Sequence, residues 1–179
     1  MTRVYGVFNN LMTGIYHRLD VRHFNLIYQK GFIKADRRYK RNYGATRYST
    51  AYNNGYVALF DFESAGVRQS RAMIDSWDMF FFDIKPITII LKLDRNALPD
   101  IIKNPYVIDP EAASKESYIN NFYIPWVEAW YPKPIPISAI LGCYVSYNNQ
   151  ASGLLGLYED MEEAKSKINE LLNNNVDGY

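Results

Sequence analysis

The run Ile87–Leu93 constrains the fold more strongly than any other part of the chain. Its residues are Ile-Thr-Ile-Ile-Leu-Lys-Leu, so every position except Lys92 is aliphatic or β-branched. Such a run is typical of a strand that is covered on both faces, because an uncovered face would expose a wide apolar surface to water. The run therefore predicts a central strand in a sheet that lies between two layers.

The size and charge of the chain set further limits. With 179 residues, 48% of them hydrophobic, it is long enough to bury about two thirds of its unfolded surface in one core. We find no internal repeat, low-complexity tract or long linker, and we expect one domain over residues 1–179. The net charge of +1 argues against attraction of the whole surface to nucleic acid or anionic lipid. Any polyanion has to be bound by a local patch.

Three segments begin with the capping pattern of a helix. In each, an aspartate stands where an N-cap accepts hydrogen bonds from the first turn. Gly31 can adopt the left-handed conformation that ends the first helix. Glu163 follows the N-cap of the last helix by three residues, as in a capping box. The predicted helices run from Val21 to Lys30, from Asp109 to about Asn120, and from Asp160 to the asparagines at 173–175.

Three more strands are predicted beside the central one. They are the β-rich segments 56–62, 126–131 and 137–147. Prolines at 132, 134 and 136 make the connection between the last two extended and stiff. Strands interspersed with few helices indicate the α+β class, with mixed or antiparallel sheets.

Several catalytic classes are excluded by residue type. His17 and His23 are the only histidines, and their separation of six residues matches no zinc-binding pattern. The chain has no Gly-x-Ser-x-Gly, no P-loop and no Gly-x-Gly-x-x-Gly after a strand. We therefore expect no metal site and no Rossmann-type binding of a dinucleotide.

The single cysteine and the hydropathy pattern bear on the compartment. Cys143 lies in an apolar run over residues 139–145, where a lone thiol behaves as a small hydrophobe and suits a reducing environment. No apolar stretch at the N-terminus has the length of a signal peptide, and no window approaches the ~20 apolar residues of a membrane span. We expect a cytoplasmic protein with no membrane partner.

Three short segments resemble the NAD-binding core of ADP-ribosyltransferases. The first, Ile-Tyr-His-Arg at 15–18 before a helix that ends in Gly31, is similar to the opening of the diphtheria-toxin and PARP lineage. The second, residues 47–62, has an Arg before a strand rich in Tyr and Val and is similar in layout to DarT-type enzymes, which modify DNA. The third, Ile-Pro-Trp-Val-Glu-Ala-Trp at 124–130, resembles the late strand that presents the family's catalytic glutamate.

The resemblance, which extends over residues 15–147, implies a fold, a substrate and a set of site residues. The fold is one of split mixed or antiparallel β-sheets with a few flanking helices, and the substrate is NAD. Glu128 and Arg47 would be catalytic. The NAD contacts would be Tyr16, His17, Arg18, Ser49 and Tyr56.

Two departures from the family pattern affect the expected contacts. Arg18 stands where a glycine often follows the histidine, at the contact with the nicotinamide amide. Trp126 occupies the position of the first acid in a Glu-x-Glu pair, and the absence of that acid argues against transfer to arginine. A lone Glu128 favours other acceptors, nucleic acid among them.

A basic segment is the candidate acceptor contact. Residues 34–47 contain six cations and one acid, with Tyr39 and Tyr43 interleaved. Cations bind phosphates and tyrosine rings stack on bases, so the segment suits DNA or RNA. The predicted acceptor-binding residues are Lys34, Arg37, Arg38, Lys40 and Arg41.

Other interpretations of the same residues stay open. His17 has the alternative of a hydrogen-bonded core or edge histidine, Glu128 that of an exposed acid on a wet strand face, and the basic run that of a solvated surface. The protein would then be a non-enzymatic α+β regulator that binds nucleic acid or protein. Within the fold, an RNA 2′-phosphotransferase-like activity is a further alternative. A protein partner such as an antitoxin is compatible with a toxin or defence role, and the enzyme hypothesis requires His17, Arg47 and Glu128 to line one cavity.

Overall fold

The computed structural model of the chain describes residues 13–35, 51, 54–76, 87–111, 126–147 and 155–174. They form an α+β fold with a six-stranded sheet and a two-stranded sheet, and every strand pair in both is antiparallel. The strands are β1 (Ile15–Leu19), β2 (Phe32–Ile33), β3 (Val57–Asp61), β4 (Ile87–Leu93), β5 (Glu128–Tyr131), β6 (Ile135–Pro136), β7 (Ile140–Tyr147) and β8 (Leu155–Tyr158). The helices are α1 (Val21–Lys30), α2 (Phe62–Ala65), α3 (Val67–Ser76), α4 (Pro105–Ile108) and α5 (Met161–Asn173).

The large sheet has the strand order β5-β3-β1-β4-β7-β8, and the small sheet pairs β2 with β6. The predicted central position of Ile87–Leu93 is confirmed, since β4 lies between β1 and β7. Ile89 and Leu91 on one face and Thr88 and Ile90 on the other are all buried. The apolar run therefore has the two-sided cover that its composition requires.

The predicted helix Val21–Lys30 is confirmed with both of its caps. Asp20 accepts a hydrogen bond from the backbone N–H of His23 at 2.9 Å. Gly31 has φ 76°, a left-handed conformation that costs glycine little, and its N–H donates to the carbonyl of Ile27 at 2.8 Å. Phe24 and Ile27 form the buried side of this helix.

One face of the large sheet packs against α1 and α5. The hydrophobic core joins alternate residues of the strands to the buried side chains of both helices. In α5, Asp160 caps the first turn through a hydrogen bond from Glu162 N at 2.7 Å. Ala164, Ile168 and Leu171 are the buried residues of α5. The face that these helices cover is called the core face.

The bounds of three predicted strands differ from those in the structure for local reasons. The strand predicted at 56–62 ends at Asp61, because its carboxylate accepts from Ser64 N at 2.9 Å and begins α2. The strand predicted at 126–131 begins at Glu128, because Trp126 has φ 64° and is not extended. The strand predicted at 137–147 is preceded by a 3₁₀ turn over Ile137–Ala139.

The predicted extended form of the proline-containing connection is found at Ile135–Pro136, which forms β6 opposite β2, whereas residues 132–133 form a bend. The helix predicted from Asp109 to about Asn120 lies outside the described residues beyond Glu111. In the part of the chain that the structure describes, no helix is long and apolar enough to cross a membrane.

The buried thiol of Cys143 gives a test of the packing between the sheet and its helices. Cys143 is 0% exposed, and burial raises the pKa of its thiol from 9.0 to about 12. At pH 8 we expect iodoacetamide to alkylate the folded protein far more slowly than the urea-unfolded protein, because the reactive thiolate is scarce and enclosed. Between pH 9 and 12 this group makes the folded state less stable as pH rises, because the unfolded thiol loses its proton first. Equal alkylation rates in the two states would contradict the burial of this strand.

Candidate active site

Glu128, Phe60, Tyr16 and Lys92 form one row across four strands of the large sheet. Glu128 is opposite Phe60, Phe60 is opposite Tyr16, and Tyr16 is opposite Lys92. Opposed residues of antiparallel strands share a face, and neighbouring strands lie about 4.8 Å apart. Glu128 and Tyr16 therefore project from the same face at a backbone separation of about 10 Å. These four residues lie outside the cluster that packs between the sheet and its two helices, although Tyr16 is itself buried, and we call this the site face.

The carboxylate of Glu128 is buried and held in place. The residue is 7% exposed, and its Oε1 accepts a hydrogen bond from Trp130 Nε1 at 2.9 Å. Glu128 and Trp130 are two residues apart on β5 and so lie on the same face, while Ala129 and Tyr131 join the core. The alternative of an exposed acid on a wet strand face is therefore wrong. A buried carboxylate that keeps a defined donor is typical of functional sites.

Trp126 has an unusual backbone conformation just before this strand. Among the described residues it is the only non-glycine with positive φ, at 64°. Its ring lies 5.4 Å from the ring of Tyr106, centroid to centroid. Left-handed backbone at a bulky residue costs about 1–3 kcal/mol and persists where surrounding contacts enforce it, often near functional sites.

The sheet opens between β1 and β3. These strands share two residue pairs, Ile15 with Asp61 and Tyr16 with Phe60. Beyond them, β1 remains paired with β4 as far as Leu19, and β3 remains paired with β5 as far as Val57. The two halves of the sheet therefore separate at one end, directly beside the row that carries Glu128.

His17 lies at this opening. Its Nδ1 is 2.8 Å from the carbonyl oxygen of Ala58, and because a carbonyl only accepts, Nδ1 carries the donated proton. Ala58 is an exposed residue of β3 and is opposite Trp130, which binds Glu128. By alternation along β1, His17 takes the opposite face from Tyr16, and its ring reaches β3 across the gap. His17 and Glu128 therefore project from opposite faces of the sheet, and the structure does not bring these two predicted site residues together on one face.

Tyr16 forms the floor of the site face beside the opening. Its ring centroid lies 5.9 Å from that of Phe62 and 6.2 Å from that of Tyr144. Its hydroxyl is buried with no hydrogen-bond partner among the described residues, and burial raises its pKa well above the usual value. Gly14 leaves room for the ring, since a Cβ there would lie 3.0 Å from the Tyr16 hydroxyl. A buried polar group of this kind is uncommon in folded proteins.

Two cations share the site face with Glu128. Arg18 is two residues beyond Tyr16 on β1 and is opposite Ile90, so it projects from the same face. Lys92 is half-buried, lies at a register shift between β4 and β7, and pairs with no carboxylate among the described residues. Irregular pairing of this kind re-aims side chains near active sites. The site face thus combines one acid, aromatic rings and two cations.

The structure places the remaining predicted residues only in part. Tyr56 is half-buried just before β3, and its N–H donates to Ala51 O at 2.8 Å. Lys34 is exposed and follows β2. The other predicted residues lie outside the described part of the chain, and their roles stay predictions: Arg37, Arg38, Lys40, Arg41, Arg47 and Ser49. Among the described residues, no group of three or more His, Cys, Asp and Glu is arranged to hold a metal ion.

Sequence reasoning missed Asn104, Phe60 and Lys92 as members of this region. Asn104 donates from Nδ2 to the carbonyl of Glu128 at 2.9 Å. The pair Asn104-Pro105 carries a helix-capping signal, but only the strand register shows that it lies beside Glu128. Phe60 and Lys92 were part of predicted strands, and their shared face with Glu128 depends on the strand order.

No protein-family model matches the chain, and no curated protein matches it. Among solved structures, it is similar to the crystal structure of Protein CC0527 from Caulobacter crescentus, with 12% identity and a TM-score of 0.44. That similarity covers 79% of this chain and 92% of the Caulobacter protein.

Proposed function

We propose that the protein is an NAD-dependent ADP-ribosyltransferase that transfers ADP-ribose to a macromolecular acceptor, nucleic acid in the first instance. The observation that supports this best is the buried Glu128 carboxylate, held by Trp130 at 2.9 Å beside the opening between β1 and β3. This is the residue that the resemblance to ADP-ribosyltransferases assigns to catalysis. Tyr16 and Arg18, two of the proposed NAD contacts, share its face.

The reaction would break the bond between the nicotinamide nitrogen and C1′ of the ribose. The bonding electrons leave with nicotinamide, and positive charge develops on C1′ and the ring oxygen, as in glycoside hydrolysis. Glu128 would stabilise this charge, and an acceptor nucleophile would then form the new bond to C1′ and lose its proton. The hydrogen bond from Trp130 fixes one carboxylate oxygen in advance, so less reorganisation is needed during the reaction.

The other groups on the site face suit the rest of the dinucleotide. The half-buried ring of Phe60 offers a surface for an aromatic base or the nicotinamide, whereas the ring of Tyr16 is buried. Arg18 and Lys92 supply positive charge for the pyrophosphate, for which arginine is the stronger, bidentate partner.

The direct test is nicotinamide release from NAD by the purified protein, with and without single-stranded oligonucleotides. The proposal expects slow release by NAD hydrolysis alone and faster release when an acceptor is present. Binding of oligonucleotides with no turnover of NAD would instead favour the non-enzymatic nucleic-acid-binding alternative.

The basic segment gives a prediction for the acceptor side. Replacing Lys34, Arg37, Arg38, Lys40 and Arg41 by glutamine should weaken binding to single-stranded nucleic acid, because fewer counterions are released per complex. The slope of log affinity against log salt, measured by fluorescence anisotropy, should fall with the number of lost phosphate contacts. NAD hydrolysis without acceptor should persist, since the variant spares the site face and Arg47.

A matched control removes the same number of positive charges from other parts of the surface. Five exposed cations outside the basic segment serve for this: Arg22, Arg68, Arg71, Lys103 and Lys133. Their replacement by glutamine should leave most of the salt slope intact. An equal change of the salt slope in both variants would show a general effect of charge. An unchanged slope in the variant of the basic segment would indicate that the acceptor is a protein or a small molecule and not nucleic acid.

A further inference from the structure

The open edge of β5 is closed by a segment that sequence patterning did not connect with the site. β5 is the outermost strand of the large sheet and pairs with β3 on its inner side. On its outer side, Ile102 and Trp130 exchange both backbone hydrogen bonds, at 2.8 and 3.0 Å. Two residues further on, Asn104 Nδ2 donates to the carbonyl of Glu128 at 2.9 Å. The side-chain amide of Asn104 thus donates to this carbonyl in place of a backbone N–H of a neighbouring strand.

Both ends of the Asn104 amide are used. Its Oδ1 accepts from the N–H of Tyr106 at 3.0 Å and caps α4, while its Nδ2 holds Glu128. The residue is 2% exposed. A buried amide with satisfied bonds at both ends has a fixed orientation, because any rotation would leave a buried polar group unpaired.

The same amide orders the residues that precede Glu128. Tyr106, whose N–H it binds, is buried and packs its ring against Trp126 at 5.4 Å. Trp126 has the left-handed backbone that turns the chain into β5. Glu128 is therefore restrained at its carbonyl by Asn104, at its carboxylate by Trp130, and at its entry by the contact between Tyr106 and Trp126.

We infer that Asn104 is a positioning residue for Glu128: it sets the backbone from which the carboxylate reaches the reacting ribose. This inference rests on the proposed function. It assigns to the 102–106 segment a role in keeping the carboxylate within reach of C1′, since displacements near 1 Å cost about 100-fold in rate.

The test is Asn104→Ser, which keeps an N-cap oxygen for Tyr106 but removes the donor to Glu128. We expect kcat for nicotinamide release to fall about 10- to 100-fold, with KM for NAD changed by no more than about twofold, because ground-state binding is retained. The control is Ile168→Val, a buried substitution that lowers stability in α5, the helix that packs on β7 and β8 at the other side of the sheet from β5. It should leave kcat unchanged.

A second readout does not depend on activity. The indole N–H of Trp130 donates to Glu128, so its NMR resonance, identified by its loss in Trp130→Phe, reports the position of the carboxylate. Asn104→Ser should shift this resonance and Ile168→Val should not. An unshifted resonance with unchanged kcat, or an equal fall of kcat in Ile168→Val, would overturn the inference. An inactive parent protein whose Trp130 resonance still shifts in Asn104→Ser would overturn the proposed function and support the structural link.

Discussion

Glu128→Gln is expected to leave the protein folded and to lower NAD turnover by a factor of about 100 to 1,000. The amide has the size of the carboxylate, and its oxygen still accepts the hydrogen bond from Trp130. It carries no charge, however, and cannot stabilise the positive charge that develops on the ribose. Nicotinamide release at saturating NAD measures the loss, and NAD affinity should change little because the binding contacts remain.

The matched control for this variant is Glu170→Gln. Glu170 lies in α5, where it is exposed and pairs with Lys167 at 2.7 Å, far along the chain from the site face. The same chemical change there should leave turnover unchanged. Equal nicotinamide release by Glu128→Gln and the parent, both purified free of contaminating hydrolases, would contradict the catalytic role.

Phe24→Ala is expected to lower the free energy of unfolding by about 3–5 kcal/mol. Phe24 is 0% exposed, lies in α1 and belongs to the core beneath the sheet. Its truncation removes a large apolar side chain and leaves a cavity that close-packed neighbours fill only in part. Urea denaturation measures the change, provided that the slope against urea concentration stays constant.

Phe32→Ala is the matched control, because it makes the same truncation at a partly exposed position. Phe32 is 37% exposed at the start of the two-stranded sheet. We expect a loss of about 1 kcal/mol or less, which is typical of surface positions. Equal losses in the two variants would show that α1 does not pack against the sheet as described.

The elements that sequence patterning predicted best are those whose signals are local. Asp20 and Gly31 bracket a regular apolar period, and the caps they form are contacts within a few residues. Every residue of the run Ile87–Leu93 except Lys92 is aliphatic or β-branched, so its burial on both faces could be predicted from its composition alone.

The bounds that were wrong depend on contacts between distant segments or on a single side chain. Asp61 ends β3 because it caps α2 and also binds Arg95 at 3.1 Å, a partner 34 residues away. Trp126 keeps a left-handed backbone beside Tyr106, 20 residues earlier in the chain. Such contacts leave no periodic signal, and β8 was missed for a related reason, since Leu-Gly-Leu-Tyr is too short to show an alternation.

The same distinction between local signals and contacts between distant segments applies to the candidate site. Glu128 was predicted as a site residue from the resemblance of its segment, and its catalytic role stays a prediction. The burial of the carboxylate, its bond to Trp130 and its restraint by Asn104 depend on strand order and register, which distant pairings determine. The opening between β1 and β3 is likewise a property of the assembled sheet.

Transfer of ADP-ribose from NAD to an acceptor is the central claim, and mass spectrometry of the acceptor tests it most directly. A pool of single-stranded oligonucleotides is incubated with NAD and either the parent protein or Glu128→Gln. We predict an oligonucleotide adduct with the added mass of one ADP-ribose for the parent and none, or a trace, for the variant. An adduct formed equally by both proteins, or no adduct and no nicotinamide release with the parent, would contradict it.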